Sequence, residues 1–137
     1  MTSSRGVRLA AWAAVGAYLA LIFYLSSQSD PLPDLTFRVW DKALHATEYG
    51  GLGALLSLAL LASGVAPRRA LFIAALGASV YGATDEVHQA FVPNRSSDVR
   101  DWAADTVGGA LGVAAVAISL RVRGARASIP RSPGEVP

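Results

Sequence analysis

Four apolar stretches, each of roughly 18–22 residues, follow one another along this chain with short polar segments between them. They lie at about 9–26 (LAAWAAVGAYLALIFYLS), 43–63, 70–91 and 101–120. About 20 such residues carry a helix across a ~30 Å hydrocarbon layer. A helix also satisfies its own backbone hydrogen bonds, as lipid requires. The short alternating strands of a β-barrel are not seen. The pattern predicts an all-α, polytopic membrane protein, a four-helix transmembrane bundle.

The connections agree. SQSDPLPDLTFRVWDK carries Pro31 and Pro33 and reads as a loop, and GVAPRR reads as a short Gly/Pro turn. Pro93-Asn94 makes a turn, after which Ser97 or Asp98 can cap the fourth helix. Arg5 and Arg8 precede the first stretch as they would a signal peptide. That stretch exceeds a usual signal core, and no clear A-x-A site follows, so it is read as a retained span. Residues 1–120 are expected to form the transmembrane domain. Residues 121–137 (RVRGARASIPRSPGEVP) are expected to form a polar, disordered tail.

Composition supports a bilayer as solvent. Of 137 residues, 53% are hydrophobic and 16% charged, too greasy for a small soluble domain. The absence of cysteine excludes disulfides, thiolate metal sites and a cysteine nucleophile. Basic residues set orientation. Arg5, Arg8, Arg68, Arg69, Arg121, Arg123, Arg126 and Arg131 fall on one side; Arg38, Lys42, Arg95 and Arg100 fall on the other. The positive-inside rule then puts both termini in the cytoplasm of a plasma-membrane, multi-pass protein. The same rule accounts for the basic tail, so nucleic acid is not an expected partner. Acids do not set topology, yet nearly all lie toward the opposite end. Their placement needs another cause.

Depth and direction supply one. Glu48, Asp85 and Asp105 each lie about 9–10 Å in from the outer end of a different helix, at 1.5 Å per residue. Asp41, His45 and Glu48 share one helical face, flanked by Lys42 and Tyr49. Tyr81, Asp85, His88 and Gln89 make a second stripe. Asp98, Asp101 and Asp105 make a third, continued by Gly109 and Gly112. A charge at mid-bilayer depth costs at least ~2.5–3.5 kcal/mol. The three stripes should therefore face one another around a polar cup open to the outside. For Asp98 and Asp101 a capping role competes with a site role. For Lys42 the rival is snorkelling to the interface. For the deeper residues it is a structural polar network between helices. Gly108 and Gly112 read as close helix packing.

At these positions the chain resembles the VanZ-like family of small bacterial membrane proteins. The resemblance rests on DKALHATEY, DEVHQAFVPNR and RSSDVRDWAADTVGGALG, and it spans roughly residues 10–120. Asp41, Lys42, His45 and Tyr49 match its first block. Glu86, Gln89 and Arg95 match its second, and Asp101 with Gly108 its third. The family commonly has asparagine where Asp105 stands and glycine where Asn94 stands. It takes its name from a protein associated with resistance to teicoplanin, a lipidated glycopeptide antibiotic. The resemblance implies cell-envelope membrane biology in a bacterium, with the site on the extracytoplasmic side.

Three functions suit the cup. The first is binding of a lipid head group, a lipid-linked cell-wall precursor or a lipidated glycopeptide. Asp41, Lys42, Glu48, Tyr49, Asp85, Gln89, Arg95, Asp101 and Asp105 would be the contact residues. The second is a membrane-embedded enzyme acting by transfer or hydrolysis on a lipid-linked substrate. His45, Glu86 and His88 would then be its catalytic groups. No nucleophile motif such as G-x-S-x-G is present. The third is a purely structural network. Proton transport fits less well, because the inner halves of helices 2 and 4 offer no continuing polar path. No organic cofactor is implied. A divalent metal has candidate ligands but no H-E-x-x-H spacing; only His45-x-x-Glu48 and Asp85-x-x-His88 occur. Neither the metal nor the oligomeric state has a signature here.

Overall fold

Alanine, leucine and glycine runs interrupted only at prolines and polar turns fold as four helices in the computed structural model. It describes residues 4–29 and 38–128, the side chains of residues 38–41 excepted. The helices are α1 (Arg5–Ser26), α2 (Arg38–Ala62), α3 (Pro67–Gln89) and α4 (Val99–Ala127). The described residues are all-helical in architecture, and α1, α3 and α4 are long and apolar enough to cross a membrane. The 25-residue α2 does not join them. Lys42, His45 and Glu48 dilute its apolar character. The fourth helix also continues seven residues past Leu120, into the segment expected to be a tail. Arginine and alanine favour helix, and no proline interrupts the sequence before Pro130.

Local chemistry sets the ends. Ser4 caps α1 by accepting from the Val7 amide, and Asp98 caps α4 by accepting from the Arg100 amide. Pro67 opens α3, where its missing N–H costs nothing. Beyond α2, Gly64 sits at φ +82°. The Val65 amide reaches the Leu60 carbonyl and the Gly64 amide the Leu61 carbonyl, the Schellman pattern. The turn leaving α3 closes with Arg95 N–H donating to the Val92 carbonyl. Pro93 and Asn94 occupy its centre, and Asn94 has φ +62°. That is the conformation of the third residue of a type II turn, which accepts Gly or Asn. The asparagine at 94 thus retains the backbone shape that glycine would give.

Packing is uneven. Helices α2 and α4 run parallel with their backbones in contact. A Cβ on Gly108 would strike the Ala46 backbone, and one on Gly112 the Gly50 carbonyl. Close approach multiplies small dispersion gains, which bind helices together where lipid removes the hydrophobic drive. Helix α3 lies antiparallel against α4, linked by the Ser79 and Thr106 hydroxyls at 2.8 Å and by the Trp102 indole donating to the Ser79 carbonyl at 3.0 Å. Its inward stripe is Ala70, Ala74, Ala78 and Gly82, then Asp85, Glu86 and Gln89. Helix α1 docks on α2: Trp12 donates to the Ser63 hydroxyl, and Tyr18 to the Glu48 carbonyl. Among the described residues α1 and α4 do not touch. The arrangement is a three-helix core with a flanking helix, not a square of four.

A small apolar cluster of Ile22, Tyr49, Leu52 and Ala78 fills the middle. The large apolar side chains, Phe72, Leu76, Val80, Leu111 and Ile118 among them, point outward instead. That inversion suits a solvent of lipid tails.

Candidate functional site

Above that apolar middle, the polar residues of α2, α3 and α4 converge. His45 and Tyr49 are one turn apart on α2, Asp85, Glu86 and Gln89 lie on the last turns of α3, and Asp105 lies on α4. All six are buried, with Tyr49 and Asp105 at 0% exposure. Gly82 makes the convergence possible: a Cβ there would stand only 3.0 Å from Asp105 Cβ and Oδ2. The sequence reading did not single out Gly82. Its signal was present, as the last small residue of the alanine stripe that leads to Asp85 and Glu86.

The hydrogen bonds are specific. His45 Nδ1 and Asp105 Oδ1 are 2.8 Å apart. Gln89 donates to Asp85 Oδ2 at 3.1 Å. Glu86 Oε2 accepts from the Asp98 amide at 2.7 Å, tying the end of α3 to the start of α4. Lys42 joins Asp101 and also reaches Asp98 Oδ2 at 3.4 Å, tying α2 to the same place. The Asp98 carboxyl, outside the spans, is held below its ordinary range, first by the Arg100 amide and then by Lys42. Arg95 is half-buried, near enough for its charge to act on Glu48.

Among the described residues, four oxygens in this region have no protein hydrogen-bond partner: Glu48 Oε1, Tyr49 Oη, Glu86 Oε1 and Asp105 Oδ2. Two belong to α2, one to α3 and one to α4, and each is shielded from solvent. Buried polar atoms left unmatched typically cost about 1–3 kcal/mol apiece. Native proteins rarely tolerate such atoms without a reason. In addition, His45, Glu86 and Asp105 each offer a ligand atom within 4.8 Å of the other two.

Most of the expected site residues meet here: Lys42, His45, Glu48, Tyr49, Asp85, Glu86, Gln89, Arg95, Asp101 and Asp105. His88 does not. Its ring leans on Phe23 at 4.7 Å, and its Nε2 lies 3.0 Å from the Ser27 hydroxyl, so it faces α1. It follows Asp85 by three residues, but Asp85 points inward and His88 points along the seam with α1. The side chain of Asp41 lies outside the described residues. Tyr49, expected to flank the polar face of α2, is wholly buried at the floor, its ring 6.3 Å from that of Tyr81. Arg100 is exposed and contributes its backbone amide to the Asp98 cap.

With this geometry in view, the comparison with known proteins is decisive for family. A family model described as VanZ/LLP1 matches residues 7–120. The chain belongs to the VanZ/LLP1 family. The matched region covers α1 from Val7 onward, α2, α3 and all but the last turns of α4, so the whole convergence lies within the VanZ/LLP1 part of the chain. With its three membrane-length apolar helices, this VanZ/LLP1 protein is a transmembrane protein. No curated protein and no solved structure matches it.

Proposed function

We propose that this VanZ/LLP1 protein binds the polar head of a cell-envelope lipid, a lipid-linked precursor or a lipidated glycopeptide in the convergence of α2, α3 and α4. One observation carries the reading. Four buried oxygens that the protein itself does not match offer a ligand hydrogen-bond acceptors inside the bundle. Whatever enters must bring hydrogen-bond donors or an accompanying cation. Half-buried Arg95 near Glu48 supplies the complementary charge for an anionic group of the same ligand.

In this reading the chain crosses the bacterial plasma membrane four times, α2 included, with both termini cytoplasmic and the pocket extracytoplasmic. The distribution of arginines supports that orientation. Residues 1–120 form the membrane domain and 121–137 the cytoplasmic appendage. Reporter fusions at the two termini and in the 91–97 turn test it. A cytoplasmic readout from the turn would overturn the sidedness.

Binding is tested with the full chain in nanodiscs, titrated with phosphatidylethanolamine, phosphatidylglycerol and teicoplanin. At least one should bind saturably. Glu86→Gln and Arg95→Gln should each weaken it about 10-fold or more, the worth of a charged hydrogen bond. Undiminished binding by both folded variants, or none by the wild type, would refute the assignment.

A second reading has one observation of its own. The 2.8 Å contact between His45 and Asp105 is the base-and-orienter pair of acid–base catalysis. An enzyme acting on a lipid-linked substrate would use His45 to move the proton and Asp105 to hold its ring. Mass spectrometry of the recovered ligand separates the two readings, since a binder returns it unchanged.

A further inference from the structure

We propose that His45, Glu86 and Asp105 form a coordination site for one divalent transition-metal ion, Zn2+ or Mn2+. The inference deepens the head-group reading, because a cation at the pocket floor would give an anionic head group its counter-charge.

The three residues come from three helices, and each presents a ligand atom within 4.8 Å of the others. All are at least nine-tenths buried: His45 is 8% exposed, Glu86 5% and Asp105 0%. Each of the two carboxylates has one oxygen in contact and one unmet. Asp105 Oδ1 lies 2.8 Å from His45 Nδ1, a contact whose proton an ion held by both residues would displace, and Oδ2 has no partner. Glu86 uses Oε2 on the Asp98 amide and leaves Oε1 without a partner. Each carboxylate thus keeps one oxygen unmet, and Glu86 is in addition anchored through Oε2 by a backbone amide outside the ligand set. Anchoring by a second hydrogen bond is how proteins orient metal ligands. Tyr49 Oη, also without a partner and on the same floor, would meet a metal-bound water.

The donor set selects the ion. One imidazole nitrogen with two carboxylate oxygens suits Zn2+ or Mn2+, whereas Mg2+ and Ca2+ prefer oxygen alone. Ligand bonds of about 2.0–2.2 Å require the donors to lie closer together than the 4.8 Å bound. Glu86 can supply the adjustment, having three side-chain torsions and only one anchored oxygen. Three protein ligands leave at least one position open, the arrangement of a site that takes up water or a substrate oxygen.

The experiment uses the full chain, purified in detergent without a histidine tag. Bound metal is counted by plasma mass spectrometry after equilibration with Zn2+ or Mn2+ and exhaustive buffer exchange. Titration with Co2+ reports ligand geometry by visible absorption. About one equivalent per chain is expected. His45→Ala, Glu86→Gln and Asp105→Asn should each lower affinity by about 100-fold or more, and His88→Ala should not. The variants' helical content and elution volume must match the wild type. Asp105→Asn keeps the side chain's shape, so it remains informative if His45→Ala fails to fold. Sub-stoichiometric metal in the wild type, or retention by folded Glu86→Gln and Asp105→Asn, would overturn the site. Head-group binding by metal-free protein would leave the pocket standing and remove the ion. One tight equivalent without any head-group binding would do the reverse.

Discussion

Helices α2 and α4 run side by side, and the two halves of their seam are built in opposite ways. In the half toward α3's end, Lys42 meets Asp101 and His45 meets Asp105. In the other half, Ala46 and Gly50 meet Gly108 and Gly112 with nothing but backbone between them. The glycine half has no polar debt: backbone groups stay within their own helices, and contact adds dispersion at no desolvation cost. The ionisable half carries two partnered pairs and, on these two helices, three unmatched oxygens, with Glu86 Oε1 facing them from α3. The glycine half holds the helices at a fixed distance. The ionisable half uses that fixed distance to keep carboxylates where they would not settle unaided.

The strongest way to break this comparison is to separate the helices. Gly108→Leu puts a branched side chain where even a Cβ meets the Ala46 backbone. Neither helix can yield without losing the seam, so the expected cost exceeds about 4 kcal/mol, among the largest for a single replacement. Folded yield and thermal unfolding in detergent would show it. A near-normal melting temperature would mean that the glycines are not the spacer.

The next replacement tests the other half with the opposite sign. Tyr49→Phe removes a fully buried hydroxyl that has no partner. In ligand-free protein it should raise stability by about 1 kcal/mol, since desolvation of that oxygen is no longer required. Head-group binding should fall at the same time. If Tyr49→Phe instead destabilises the empty protein, the upper seam is a satisfied structural network, and the case for a pocket weakens sharply.

Much of this contrast is legible in the sequence, for identifiable reasons. Helical periodicity alone puts Asp101, Asp105, Gly109 and Gly112 on one stripe, and Asp101, Asp105 and Gly109 are buried together. The cost of a charge in lipid turns such stripes inward. Periodicity does not reveal rotation between neighbours. For this reason His88, three residues after Asp85, reads as a site residue from its spacing yet faces Phe23 and Ser27. Nor does it give packing order. Hydropathy treats the helices as equals, whereas α1 flanks α2 without reaching α4. The Glu86 contact with the Asp98 amide was also hidden, because a backbone donor leaves no trace in residue types.

A smaller effect is expected at α1, outside the seam. Trp12 donates to the Ser63 hydroxyl at 2.9 Å, one of two α1–α2 side-chain hydrogen bonds among the described residues. Trp12→Phe should cost about 0.6 kcal/mol, the average for an interhelical hydrogen bond in a membrane protein. Head-group and metal binding should be unchanged. A loss of binding would mean that α1 helps shape the pocket, and that the three-helix core is too narrow a description.

The smallest effect belongs at the rim, where the ionisable half ends in water. Asp98 caps α4 and reaches Lys42, and its carboxyl is held below the ordinary range. A depressed folded value gives stability that is present above the unfolded value of about 3.9 and lost as pH falls through the folded one. Asp98→Asn keeps a good cap but not the charge. The wild type should therefore exceed the variant slightly at neutral pH, and the difference should close below about pH 4. Paired denaturant titrations across that range would measure it. The direction matters more than the size. A difference that grew on acidification would mean that the Asp98 charge opposes folding. The Lys42 contact with Asp98 would then add nothing, and the ionisable half of the seam would end one turn deeper than the rim.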